Sequence, residues 1–319
     1  MRVGQNPAKS VKRVARPERI TVAVLNYIPF LSGFYTEMLD VLKVSLNSIR
    51  ETADLPFDLL VFDNGSCEEV RAYLAQERAE GRIQYLILSE KNLGKGGAWN
   101  MILSGAPGEI IVYADNDCLF YPGWLSGSIE LLETFPNVGM VTARPFRTRP
   151  ELYTRTVEWA ESMQDVALEK GDFIPYEVFR EFDLSLGQSE EEILTHYENS
   201  EDVRLTYNGV SAIVGASHWQ FTARKDVLQQ YLPFDMDRPM GQVKRLDERI
   251  NQAGYLRLMP TEPYAMNISN TLRNLKGYSS KTENNQKTAK NHWLLDFAPI
   301  KRSLLFLYNR IFRWYYDRE

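Results

Sequence analysis

One stretch limits the fold more than any other. From Glu109 to Tyr121 the chain reads Glu-Ile-Ile-Val-Tyr-Ala-Asp-Asn-Asp-Cys-Leu-Phe-Tyr, an apolar run of the buried-strand type that stops abruptly at two carboxylates. Extended backbone repeats its side chains every two residues, so Asp115 and Asp117 point to one side and Asn116 to the other. At the carboxyl end of a strand, where α/β sheets bind ligands, such a pair suits a hard divalent cation that takes oxygen ligands and bridges a diphosphate. Asp and Asn also open ordinary turns after strands, so the pair by itself leaves both readings standing.

The segments before it supply the context. Ile20 to Leu25 is a β-rich run ended by Asn26, Tyr27 and Pro29. Met38, Leu39, Leu42, Leu46 and Ile49 then fall at helical spacing within Tyr35 to Arg50. After Pro56 comes a second strand, Phe57 to Phe62, closed by the turn signal Asp63-Asn64-Gly65-Ser66. Glu68 to Glu80 reads as an amphipathic helix capped by Gly81, and Ile83 to Leu88 as a third strand. This β-α-β-α-β order predicts an α/β fold with a mostly parallel sheet and helices on its faces.

Between the third strand and the acidic pair lies Asn92-Leu-Gly-Lys-Gly-Gly-Ala-Trp-Asn100, a Gly-rich turn feeding a helix through Ser104. Gly94, Gly96 and Gly97 let backbone approach a ligand closely, Lys95 can meet a phosphate, and the helix start offers unpaired N–H groups. The run is neither a P-loop nor Gly-x-Gly-x-x-Gly, and a plain Gly-rich loop fits it equally.

Past the pair, Leu125 to Phe135 predicts a helix and Val138 to Ala143 a strand. Regularity then falls away over 144–210, a charged insertion with helical stretches near Val157 to Leu168 and Glu190 to Tyr197, expected to form a lid or acceptor-side subregion. Val210 to Thr222 returns to apolar runs; Lys225 to Tyr231 and Leu246 to Ala253 read as helices and Tyr255 to Met259 as a strand. The expected organisation is a basic, flexible arm over 1–18, a main domain over 19–275, and over 276–319 a polar linker and a basic aromatic helix, Leu294 to Tyr316. Such a helix can lie on an anionic membrane surface, pack on its own domain, or meet a second subunit.

With 319 residues, 44% apolar and 25% charged, the chain can bury a sizeable core, and a net charge of −5 gives no overall attraction to nucleic acid. Cys67 and Cys118 cannot build a disulfide framework, and no Cys/His array has zinc spacing. No secretory signal or membrane-length apolar segment is read, so the expectation is a cytoplasmic protein, with the tail as a possible peripheral membrane contact.

Four motifs together resemble the family-2 glycosyltransferases, which have the GT-A fold: Ala23-Val-Leu-Asn-Tyr27, Asp63-Asn-Gly-Ser66, Asn92 to Asn100, and Ala114-Asp-Asn-Asp117. They keep that family's order and approximate spacing over the first half of the chain, and more loosely over Gly215 to Thr271. The resemblance implies a GT-A-type Rossmann-like domain with a helical C-terminal extension. It implies that the loop after the first strand, with Asn26, and Asp63 hold the nucleotide base, and that Asn92, Gly94, Lys95, Gly96 and Asn100 flank the diphosphate. Asp115 is then expected at the ribose or the metal, and Asp117 as a direct ligand of Mn2+ or Mg2+.

Two departures stand in the second half. Relatives often carry Gly-Glu-Asp before Ala-Gly-Tyr, its acid serving as catalytic base; here Gly241-Gln242-Val243 stands at that distance from Ala253-Gly254-Tyr255. Asp247 is the favoured substitute, although it could equally cement the helix or pair with an arginine. Relatives also place His-x-Gly after the last core strand, whereas Asn267 stands here and could offer its carbonyl to a cation. His218, beside Trp219, reads as an acceptor-side residue or as a packed structural one.

The resulting expectation is a metal-dependent, inverting glycosyltransferase. It would move sugar from a nucleotide-diphosphate sugar, a UDP-sugar ahead of dTDP- and GDP-sugars, to a glycan or lipid-linked hydroxyl in polysaccharide or glycoconjugate synthesis. A degenerate nucleotide- or glycan-binding scaffold of the same fold is the alternative. A sugar-phosphate nucleotidyltransferase ranks lower because Leu25 to Phe34 contains only Gly33, and a dinucleotide dehydrogenase lower still because its fingerprint is absent.

Overall fold

The apolar runs that flank the acidic pair form the middle of one sheet. In the computed structural model, which describes residues 4–237, 241–273, 275, 307 and 310, the chain alternates strand and helix up to that pair. The order is β1 (Ile20–Asn26), α1 (Met38–Thr52), β2 (Asp58–Asp63), α2 (Glu68–Ala79), β3 (Tyr85–Leu88), α3 (Gly94–Gly105) and β4 (Ile110–Asp115). β3, β2, β1 and β4 lie side by side and parallel, with Asn26 opposite Asp63 and Leu25 opposite Asp115. Their carboxyl ends therefore share one edge.

β1, β2 and β4 are apolar along most of their length because both faces are covered, and turn polar at their carboxyl ends. α1 lays Met38, Val41, Leu42, Leu46 and Ile49 inward, the stripe its spacing predicts. From α3, Trp99, Ile102 and Leu103 are fully buried against Ala23, Tyr113 and Phe221, with Trp99 edge-on to Tyr113 and Phe221.

Beyond β4 the chain forms β5 (Cys118–Phe120), α4 (Trp124–Thr134) and β6 (Val138–Val141). There follow α5 (Thr154–Ser162), β7 (Ala167–Gly171), α6 (Tyr176–Ser185), α7 (Glu190–Glu198), β8 (Asp202–Tyr207), β9 (Val210–Val214) and β10 (Gln220–Arg224). Last come α8 (Lys225–Gln229), α9 (Gln242–Gln252), β11 (Leu256–Met259) and β12 (Ala265–Asn267). The sheet runs β3-β2-β1-β4-β10-β6-β11-β9-β8-β7, and β12 pairs separately with β5.

The α/β Rossmann-like architecture with flanking helices stands, with one qualification. The mostly parallel expectation describes the first four strands; past β4 only β6 and β11 pair in parallel, and β10, β9, β8 and β7 join their neighbours antiparallel. Within 144–210 the predicted helix near Val157 to Leu168 stops at Ser162, and Ala167–Gly171 is a strand that extends the central sheet through β8. Local pattern missed it because the strand is short and half exposed. α7 begins on a capping box, Ser189 and Glu192 each bonding the other's backbone N–H.

Residues 4–19 lie exposed, with one short 3-10 turn at Pro7–Ser10. The chain divides by packing into Met1–Thr271 and Leu272–Glu319. The expected linker and basic aromatic helix lie outside the described residues, Leu307 and Arg310 apart.

Candidate functional site

The shared edge is laced by side chains from three strand ends. Asn26, at the end of β1, donates from Nδ2 to Asp63 Oδ1 (2.8 Å) and to Ser66 Oγ (3.0 Å), while its Oδ1 accepts from Asn116 Nδ2 (2.8 Å). Asp63 Oδ2 accepts from the Ser66 backbone N–H and lies 3.7 Å from Arg71 Nε. Asn26 and Asp63 are both fully buried. Their polar atoms tie the ends of β1 and β2 to the loops that follow them.

The Gly-rich loop is held in the same way. Asn64 Oδ1 accepts from Leu93 N (2.8 Å), and Asn92 Oδ1 accepts from Gly94 N (2.8 Å) and Asn64 Nδ2 (3.0 Å), so the two side chains tie the loop to the start of α3. Gly94 has φ +68°, a conformation that favours glycine. Gly96 is buried within α3. Gly97 is required by space, since a Cβ there would lie 2.8 Å from Leu93 Cβ and 2.9 Å from Met236 Cε. Asn100, expected near the diphosphate, instead exchanges two bonds with the Phe234 backbone, 2.7 and 2.9 Å long. It clasps a loop, because its side chain leaves the helix on the face covered by that loop.

Lys95 does not stand free. Its Nζ meets Asp115 Oδ2 at 2.8 Å, above the rings of Trp99 and Tyr113, and Asp115 Oδ1 accepts a short hydrogen bond from Tyr113 Oη. Burial and the neighbouring Asp115 hold the Tyr113 hydroxyl well above its ordinary range, so it stays a donor.

Asp117 is the contrast. It follows β4 in the turn before β5, and its Oδ1 is closed off from solvent without a hydrogen-bond partner. Desolvation first, and the charge of Asp115 second, push its pKa up to about 7; Lys95 and a hydrogen bond with the Asn267 side chain pull the other way. Asn267 pairs opposite Cys118 across β12 and β5, and its Oδ1 already accepts from Ser269 N at 2.9 Å. It therefore lies beside Asp117 with one lone pair of its amide oxygen engaged. Among the described residues no group of three or more His, Cys, Asp and Glu is gathered as for a metal. What fits a divalent cation here is the Asp117 carboxylate, whose orphaned oxygen and raised pKa are both relieved by positive charge.

A second cluster lies on the same edge. β10 runs antiparallel to β4, and Asp115 N donates to Trp219 O at 2.9 Å, so His218 stands one residue past that pairing. His218 Nδ1 is 2.8 Å from Asp247 Oδ2, and Asp247 Oδ1 accepts from Arg257 Nη2 at 2.6 Å. Asp247 is only 3% exposed and Arg257 is fully buried. Asp247, expected as a catalytic base, thus has both oxygens engaged; the arginine pairing left open for it is the one realised. Sequence reading missed Arg257. The available signal was a cation inside the apolar strand Leu256-Arg257-Leu258-Met259, which can be buried only with a partner.

Comparison with known proteins bears on this edge. Residues 33–183 match the family described as "Glycosyl transferase family 2", a span that includes α1, the Gly-rich loop and the acidic pair. Over that span, a little under half of its length, the chain is similar to glycosyltransferase family 2. The chain is 23% identical over 136 residues to an uncharacterised glycosyltransferase of Nostoc sp., covering 41% of this chain and 42% of that protein. It thus spans less than half the length of that relative. A mannosyltransferase from Pyrobaculum calidifontis, solved with GDP-mannose and Mn2+, is 17% identical with a TM-score of 0.48, over 82% of this chain and 59% of that one. TarS of S. aureus, residues 1–349, is 13% identical with a TM-score of 0.46, over 78% and 60%.

Proposed function

We propose that the protein transfers a sugar from a nucleotide-diphosphate sugar to an acceptor hydroxyl, with inversion at the anomeric carbon, and that a divalent cation assists. The observation that carries this reading is Asp117: a carboxylate left with an orphaned oxygen at the end of the central strand, within the span similar to family 2. Asp117 would hold Mn2+ or Mg2+, with Asp115 beside it carrying Lys95. Bound there, the cation offsets charge on the departing diphosphate. The remaining work falls to the chain. The N–H groups at the start of α3 and Lys95, by exchanging Asp115 for phosphate, receive the diphosphate oxygens. The Asn26, Asp63 and Asn64 network fixes the loops that flank the nucleoside.

A UDP-sugar is the proposed donor, with dTDP- and GDP-sugars as the next to test, and a glycan or lipid-linked hydroxyl the acceptor. We place the reaction at the cytoplasmic side, in polysaccharide or glycoconjugate synthesis. A thermal-shift panel of UDP, GDP and dTDP with and without Mn2+ tests this, since a ligand that binds the folded state raises the melting point by mass action. A shift that needs both nucleotide and metal, and that Asp117→Asn abolishes, is the expected outcome. No shift with any of the three refutes it.

The scaffold alternative is favoured by one observation: Asp247 is locked in a buried ion pair where relatives are expected to carry a free base. Release of nucleoside diphosphate from a donor sugar, absent in a scaffold, separates the two.

A further inference from the structure

We infer that His218 is the proton acceptor of this site and that Asp247 is its positioning residue. The inference deepens the transferase reading and rests on it for its chemistry.

The chain of reasoning begins at Arg257. Fully buried, it donates to Ala216 O (2.6 Å), Leu152 O (2.6 Å) and Asp247 Oδ1 (2.6 Å). A guanidinium can only donate, so Asp247 Oδ1 accepts from it, and a carboxylate in such a pair presents its second oxygen as an acceptor too. Asp247 Oδ2 at 2.8 Å therefore requires a proton on His218 Nδ1. A neutral imidazole with its proton on Nδ1 carries its lone pair on Nε2, at the opposite side of the ring.

The ring also borders open space. The His218 side chain is 32% exposed and lines a cavity of about 430 Å³, within the usual range for small-ligand pockets. Asp247, Lys244 and Glu248 face it from α9, and Arg147, Arg149 and Glu151 from the segment after β6; Arg257 stands behind Asp247 from β11. Lys244 pairs with Glu248 at 3.4 Å, and Arg147 with Asp202 and Asp172 at 2.8 Å. Three cations set against three carboxylates suit a neutral, hydroxyl-rich acceptor better than an anion. Trp219, next to His218, bonds the backbone of Asp115, so the cavity adjoins the donor edge.

In the transfer step an acceptor O–H lies against His218 Nε2. The oxygen attacks C1 of the donor sugar as its proton passes to Nε2. The C1–O bond to the diphosphate breaks, its electron pair leaving with the nucleoside diphosphate. Asp247 stabilises the imidazolium and holds the ring; water later takes the proton.

Two measurements test this. The chain has three histidines, so 15N-histidine labelling gives a readable spectrum. Near pH 8, His218 is expected as the Nδ1–H tautomer with a bare Nε2, the minor form of free histidine. An Nε2–H tautomer, or an imidazolium from pH 6 to 9, overturns the assignment whether or not turnover is seen. His218→Gln is the variant of choice, because Asp247→Asn strands Arg257 and can fail to fold. With UDP-, GDP- and dTDP-sugars and alkyl glycosides as acceptors, His218→Gln should lower kcat about 10²- to 10⁴-fold. Donor KM and the nucleoside diphosphate and Mn2+ thermal shift should stay at wild-type values. Wild-type kcat in His218→Gln overturns the base alone; a wild-type protein blind to every nucleotide overturns the transferase reading instead.

Discussion

Two aspartates on one sheet edge, Asp117 and Asp247, are both largely enclosed and yet have opposite surroundings. Asp117 has an oxygen with no partner and a pKa pushed up to about 7. Asp247 has one oxygen on a buried arginine and the other on a histidine. An acid left wanting charge stores a cost that a cation can relieve; an acid already satisfied has nothing to gain from one and serves by orienting its neighbour. The pairing state of a carboxylate, more than its position in a motif, separates ligand from support.

The contrast can be broken, beginning with the largest effect. Asp117→Ala should cut sugar transfer by at least about a hundredfold, or roughly 3 kcal/mol of transition-state stabilisation, measured as kcat/KM at saturating Mn2+. An unchanged rate would make Asp117 as much a supporting residue as Asp247.

Arg257→Met should destabilise the fold by about 3–5 kcal/mol in urea titration, because it leaves Asp247 charged and buried. Adding Asp247→Leu should restore most of the loss. A small effect from the single change would mean that Asp247 is less settled than its contacts imply.

The pH dependence runs the other way at Asp117. Its folded pKa lies above the unfolded value of 3.8, so the folded state binds the extra proton and stability falls as pH rises from about 4 to about 7. Asp117→Asn should therefore stabilise the metal-free protein by roughly 2–4 kcal/mol at pH 8, with the gain vanishing near pH 4. Mn2+ affinity in the wild type should weaken up to about tenfold for each pH unit below 7, since the cation must displace that proton. Calorimetry at three pH values checks both.

At the small end, Asn100→Ala, which opens the clasp on Phe234, should cost about 1–2 kcal/mol. Ser189→Ala, remote from both acids, should cost about 1 kcal/mol through its lost helix cap and leave transfer untouched.

What could be read in advance divides along the same line. β1, α1, β2 and β4 were legible because their apolar patterns are long and local, and the acidic pair because its two residues are neighbours in sequence. Asn26, Asp63 and Asn100 stood out by motif, but the bonds they make with Ser66, Asn116 and Phe234 were not legible, since a motif carries position and not hydrogen bonding. His218, Asp247 and Arg257 come from three elements and meet only through the mixed half of the sheet, whose order no local pattern encodes. β7 escaped because its burial is too slight to impose alternation.

The place of β10 has a consequence for how the molecule is made. It fills the slot between β4 and β6, although some eighty residues of chain separate it from β6. A polypeptide truncated near Ser200 would carry every recognisable motif, the full span 33–183 included, yet leave β4 with a bare flank of unpaired backbone. Such a fragment should associate with itself instead of working, and during synthesis the nascent chain must shield that flank until the return strand emerges.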